Sequence, residues 1–158
     1  MILWRIATES KEFPANDLGG GGAAKFPGRW NAEKQFVLYT APTIALAVLE
    51  TTAHLDTGGF PLNKFLLKLE VPDDDWNART IFTPDMLSAS WCAIPHGVTS
   101  VEASSKWYAG KSTLLLQVPS VIVPEEANIL INCKHRRWKK ISAAVIRRFE
   151  YDLLLRSR

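Results

Sequence analysis

Two cysteines and three histidines in 158 residues leave little for metal or redox chemistry. Cys92 and Cys133 are too far apart for a Cys-x-x-Cys site or a disulfide framework and read as free thiols of a reducing compartment. His54, His96 and His135 show no ligand spacing, so no metal site is expected. The longest nearly apolar stretch, Ala41 to Leu49, falls far short of the ~20 residues of a membrane span. The opening Met1-Ile2-Leu3-Trp4-Arg5 has no basic region followed by a long apolar segment, so no secretory signal is expected and a cytoplasmic location is. Nucleotide motifs are missing too. There is no Gly-x-Gly-x-x-Gly between strand and helix, and Gly19-Gly20-Gly21-Gly22 lacks the Lys-Ser/Thr of a P-loop. No His-Glu-x-x-His and no Gly-x-Ser-x-Gly occurs either, which excludes the common zinc-protease and serine-hydrolase signatures.

What is present is a composition fit to fold: 47% hydrophobic and 22% charged residues, nine Gly and nine Pro. That length and balance suit a single domain over residues 1–158 with a real core. The net charge of +3 is unevenly spread. From Lys134 onward nine Lys and Arg face only Glu150 and Asp152, whereas residues 1–133 carry ten basic against fourteen acidic residues. The body is therefore mildly acidic, and no groove-reading motif accompanies the basic tail, so direct nucleic-acid binding is not expected. The tail reads instead as a docking surface for an acidic partner, with Arg136, Arg137, Lys139 and Lys140 its foremost residues.

Local patterns outline an α+β domain. Residues 2–7 read as a strand, 8–27 as a long loop, and Phe36 to Tyr39 as a second strand. A helix should follow with Thr40 as N-cap and run to Leu55, largely buried because it is apolar on nearly every face through Leu49. Lys64 to Val71 alternates as a half-buried strand. Residues 73–98 read as loop with one short helix near Pro84 to Ser88, and residues 100–110 as helix. Further strands are expected at Thr113 to Val118, Val121 to Val123 and Asn128 to Asn132. Ile141, Val145, Phe149 and Leu153 have helical spacing, yet Ala143 to Tyr151 can also pair as a strand.

Several polar residues stand where a purely structural sequence needs none. Arg29 sits in Gly28-Arg29-Trp30-Asn31, where a guanidinium fork beside glycine suits a phosphate or carboxylate, or alternatively packs on Trp30. Glu50 interrupts an apolar helix, so it lines a cleft or marks one wet edge, with His54 four residues on. Tyr39 ends a strand, as a site residue or a core tyrosine. Ser120 lies just beyond another strand in Val118-Pro119-Ser120, and no local feature makes it a nucleophile, so a functional role would be hydrogen bonding. Asn128 and Asn132 bracket the next strand.

The order of these fragments resembles the RES-domain family, whose members are toxins of bacterial Xre–RES toxin–antitoxin pairs. The resemblance runs through Trp4-Arg5, Gly28-Arg29-Trp30-Asn31, Leu38-Tyr39-Thr40-Ala41, Ala45-Leu46-Ala47-Val48-Leu49-Glu50, Val118-Pro119-Ser120, and Glu126 to Asn132 with His135. It implies an ADP-ribosyltransferase-like split β-sheet core with flanking helices, and the destruction of NAD by glycohydrolysis or phosphorolysis. NAD is then the substrate, inorganic phosphate a co-substrate, and no cofactor is needed. By position, Arg29, Glu50 and Ser120 match the family's named residues, with Tyr39 a further catalytic-site residue. Arg5, Trp30, Asn31, Asn132 and His54 are expected to bind substrate. Where members commonly carry Gly this chain has Lys34, and where they carry Asn-Pro-x-His-Pro it has Asn132-Cys133-Lys134-His135-Arg136.

The chemistry these roles imply is that of glycoside cleavage, in which positive charge develops on the ribose. Glu50 would stabilise that charge, Arg29 would hold the pyrophosphate or an incoming phosphate, Tyr39 would stack on nicotinamide or ribose, and Ser120 would orient the dinucleotide. The resemblance also implies a cognate Xre-family helix-turn-helix antitoxin covering the site, in a hetero-oligomer or beside a homo-oligomeric toxin. The alternatives are a mono-ADP-ribosyltransferase that modifies a protein, and an interaction domain without catalysis.

Overall fold

Side-chain alternation along the strands sets the layering. In the computed structural model, which describes residues 1–53 and 62–151, seven strands form two sheets. The first is fully antiparallel, ordered β1 (Ile2–Thr8), β3 (Lys64–Glu70), β7 (Ser142–Arg148). The second is ordered β2 (Val37–Thr40), β6 (Ala127–Asn132), β5 (Leu115–Pro119), β4 (Thr80–Ile81), with only β4 and β5 parallel. Trp4 and Ala41 bridge the two sheets. Leu3, Ala7, Leu67 and Leu69 of one sheet share a buried cluster with Leu38, Leu115, Ile129 and Ile131 of the other. The residues between them in sequence face outward into two further clusters. Ile6 and Leu66 meet Leu46 and Ala47 of α2 (Ile44–Thr52), while Leu116, Val118 and Leu130 meet Trp107 of α4 (Val98–Gly110). Two sheets packed on each other, with a helix outside each, make a compact α+β domain, as expected.

The elements differ from the sequence reading where side chains redirect the backbone. The long loop of residues 8–27 contains a short helix, α1 (Gly21–Lys25), preceded by Gly20 at φ 71°. A Cβ at Gly20 would lie 2.8 Å from the Val37 nitrogen and 2.9 Å from Cys133 Sγ, so only glycine fits there. The N-cap of α2 is Thr43, whose Oγ1 accepts from Leu46 N (3.1 Å); Thr40 is buried and donates to the Ile129 carbonyl (2.7 Å). The helix is also less buried than its apolar sequence implies, with Leu46 and Ala47 inside and Ile44 and Leu49 exposed. A short helix, α3 (Asp73–Asn77), follows β3, and β4 extends the second sheet, both in a stretch the sequence shows as mainly loop. Residues 121–123 are a turn rather than a strand, because Ser120 Oγ accepts from Ile122 N (3.1 Å) and Val123 N (3.0 Å). The ambiguous C-terminal segment is strand β7, paired with β3 and exposed along nearly all its length.

The two departures from the family pattern each have a local answer. Lys34 adopts φ 65°, the left-handed conformation in which glycine is unstrained. Cys133, standing at a proline position, donates its N–H to the Phe36 carbonyl at 2.9 Å, a bond proline cannot make. Asn132 Oδ1 accepts from Lys134 N (2.9 Å), which turns the chain without a ring-locked φ. Of the basic tail, Arg137 is committed inside the domain: its Nε and Nη2 donate to Asp75 Oδ1 and Oδ2 at 2.6 and 2.8 Å.

Candidate active site

Glu50, Ser120 and Asn128 converge where α2 crosses the turn between β5 and β6. Ser120 follows the last residue of β5 and Asn128 pairs with Val118 in the antiparallel register, so the hairpin presents both side chains to the helix. Ser120 Oγ and Asn128 Nδ2 each donate to Glu50 Oε1 at 2.6 Å. The Ser120 hydroxyl also receives the two backbone N–H groups of its own turn, so its single proton points to the carboxylate. Glu50 itself is half-buried, and among the described residues its Oε2 has no hydrogen-bond partner. Oε1 is thus held by two donors at once.

Arg29 is positioned by a braced turn. Tyr39 Oη donates to Asn31 Oδ1 (2.8 Å) and accepts from Trp30 N (3.1 Å), clamping the backbone on the C-terminal side of Arg29. A Cβ on Gly28 would sit 3.0 Å from the same hydroxyl, which explains glycine there. Arg29 Nη1 and Nη2 donate to the carbonyls of Trp91 (2.6 Å) and Ala93 (3.0 Å). Those neutral acceptors orient the fork without cancelling its charge. Burial lowers the Arg29 pKa, and the fields of Cys92, Glu50 and Tyr39 oppose that, which places Arg29 in electrostatic range of Glu50 and Tyr39. Burial likewise raises the Tyr39 pKa, so this ring is a neutral phenol with its hydroxyl engaged.

Ser120 thus bonds to Glu50, Tyr39 braces the turn of Arg29, and the fields of Glu50 and Tyr39 reach Arg29, although the four lie far apart in sequence. Two of them also make contacts that the sequence does not display. Ser120 is fully buried, and its hydroxyl is committed to Glu50 and to the two N–H groups of its own turn. The Tyr39 hydroxyl braces the Arg29 turn.

The expected binding residues divide further. Trp30 is buried and stacks on Trp91 with ring centroids 6.3 Å apart. Asn31, fully buried, spends both Nδ2 protons on the carbonyls of Ala23 and Ala32. Its Oδ1 accepts from Gly28 N and Tyr39 Oη. Asn132 is also fully buried and donates to the Tyr108 carbonyl at 3.0 Å. Arg5 lies on the β1 face shared by Leu3 and Ala7 and donates to the Tyr39 carbonyl (3.0 Å), tying β1 to the strand that carries Tyr39. His54 lies outside the described residues. The sequence reading assigned no role to Asn128 or to the Trp91 and Ala93 carbonyls. Asn128 has one visible signal, its place at the start of a strand beside the Ser120 turn. Main-chain acceptors have none.

Comparison with known proteins adds an independent line. The RES domain family's model matches residues 2–153. A protein of Sphingobium sp. (strain YBL2) named "Prs ADP-ribosylating toxin" is 46% identical over 150 residues, covering 95% of this chain and 93% of the relative. Proteins named "Toxin Res" from Yersinia enterocolitica and Pseudomonas putida are 30% and 34% identical, covering 92% and 85% of this chain and 92% and 86% of their own lengths.

Proposed function

Because the chain belongs to the RES-domain family, we propose that it is a toxin that cleaves the nicotinamide–ribose bond of NAD, passing ADP-ribose to water or phosphate. The observation that carries this reading is Glu50: a half-buried carboxylate pinned through Oε1, with Oε2 unpartnered among the described residues and a cation, Arg29, within electrostatic range. As nicotinamide leaves, its ring nitrogen becomes neutral and positive charge moves onto the ribose. A carboxylate oxygen held beside that carbon stabilises the charge only as it forms, which lowers the barrier rather than tightening ground-state binding. Nicotinamide departs without needing a proton, which fits a site in which the Tyr39 phenol holds its proton firmly. Arg29, anchored by two carbonyls, has further N–H groups to offer the pyrophosphate or an incoming phosphate. NAD is a cytoplasmic metabolite, so the activity belongs in the cytoplasm. A cell making such an enzyme needs a protein antitoxin that covers the cleft.

A second reading is favoured by the Sphingobium relative, whose name specifies ADP-ribosylation: the acceptor is a protein side chain, approached from the same Oε2 face. The cleavage step is shared and only the acceptor differs. Incubating purified protein with NAD, with and without phosphate, and weighing the products separates the outcomes. Free ADP-ribose means hydrolysis, ADP-ribose-1″-phosphate means phosphorolysis, and a mass increment on added protein means transfer. Nicotinamide that is never released under any of these conditions would overturn the proposal.

A further inference from the structure

We propose that Asn128 is a positioning residue that acts with Ser120 to lock Glu50 through Oε1 alone, reserving Oε2 for the substrate; this rests on the NAD-cleavage reading above. A carboxylate on a helix turns freely about its terminal bond unless something fixes it, and one hydrogen bond leaves a swivel. Here two donors reach the same oxygen at 2.6 Å each, one from the turn after β5 and one from β6 of the same hairpin. They differ in how they are fixed. The Ser120 hydroxyl can only donate to Glu50, since Ile122 N and Val123 N occupy its acceptor side. The Asn128 amide has a choice of face, and the carboxylate settles it: turned over, its carbonyl oxygen would meet a like partial charge. Asn128 has no other hydrogen-bond partner among the described residues, so this contact is the use the fold makes of it.

Both donors are neutral, unlike the guanidinium that meets Asp75. Glu50 is therefore oriented without losing the negative charge that the ribose cation would meet. Arg29 is the cation in range of Glu50, and its own bonds go to Trp91 and Ala93. Two neutral donors on one oxygen, with the second oxygen clear, is an arrangement that packing alone does not demand.

The test compares Asn128→Ala and Asn128→Asp with wild type in nicotinamide release from NAD. The expected result is a drop in kcat of about 10- to 100-fold for Asn128→Ala with KM changed less than about twofold, because the bond serves the transition state. Asn128→Asp should lose at least as much, since its oxygens repel Glu50. Ser120→Ala and Asn128→Ala combined should fall well short of the product of their separate effects, as expected for two residues fixing one oxygen. A second readout needs no activity. The Asn128 side-chain amide proton resonance in wild type should move upfield in Glu50→Ala as its charged acceptor is removed. A wild-type kcat in Asn128→Ala, or a kcat that falls only in step with melting temperature, would overturn the proposal. An amide resonance indifferent to Glu50 would do the same. If wild type releases no nicotinamide, the NAD reading fails, while the amide resonance still decides whether Asn128 holds Glu50.

Discussion

Asp75 and Glu50 are both carboxylates drawn out of water, and each has an arginine nearby, yet the two regions handle them in opposite ways. Asp75, 6% exposed, gives both oxygens to Arg137 in a bidentate pair. Charge is cancelled where it is buried and nothing remains to bind a ligand. Glu50 gives one oxygen to two neutral donors, while Arg29 turns to the carbonyls of Trp91 and Ala93. Opposite charges sit in range of one another without closing the pair. A saturated ion pair serves the fold, whereas a half-satisfied carboxylate beside an unpaired guanidinium keeps electrostatic energy available for a substrate.

That contrast can be broken from either side. Arg29→Ala should reduce NAD turnover by about 10²-fold, roughly 3 kcal/mol, while the melting temperature moves little. Arg29→Lys should recover only part of it, because a point charge cannot span the Trp91 and Ala93 carbonyls as the fork does. Steady-state kinetics beside thermal melts would check both. At the other pair the pattern should invert. Arg137→Ala leaves Asp75 buried and unpaired and should lower the urea unfolding midpoint, with turnover per folded molecule unchanged.

A smaller effect concerns the left-handed Lys34, outside both pairs. Lys34→Gly should stabilise the domain by about 1 kcal/mol, read as a higher unfolding midpoint, since glycine relieves the strain at φ 65° but carries more unfolded-state entropy. The smallest belongs to His135, buried near Asp75. Burial lowers its pKa below 6.5, with Asp75 opposing and Arg136 and Arg137 adding to the shift. The unfolded chain therefore takes up this proton first as pH falls. The stability that neutral His135 supplies is whole above pH 6.5 and declines below it. His135→Gln should flatten the melting-temperature slope below pH 6.5 relative to wild type.

Much of this was legible from residue order, and the failures have physical causes. Alternation identifies β3 because one face meets the core, and the helix expected at residues 100–110 lies within α4. The start of α2 was misplaced because Thr40 and Thr43 are both good caps, and only the tertiary bond from Thr40 to Ile129 removes one from candidacy. No propensity rule favours a helix opening on glycines, as α1 does. At the site, Arg29, Glu50 and Ser120 were visible as polar residues in odd places. That Ser120 serves Glu50, and that Asn31 and Asn132 are spent inside the protein, depends on long-range packing that one sequence does not display. Asn128 looked like an ordinary strand-start polar residue until the hairpin placed it against the helix.

In the proposed reaction the negative charge of Glu50 drives NAD cleavage. Glu50→Gln tests it most directly, because the amide oxygen can still accept from Ser120 and Asn128 while the charge is gone. The measurement is nicotinamide release from NAD by the purified wild type and this variant, with melting temperatures taken alongside. Wild type should turn NAD over, and the variant should lose about 10² to 10³-fold with little change in melting temperature. Release by Glu50→Gln at the wild-type rate would contradict it.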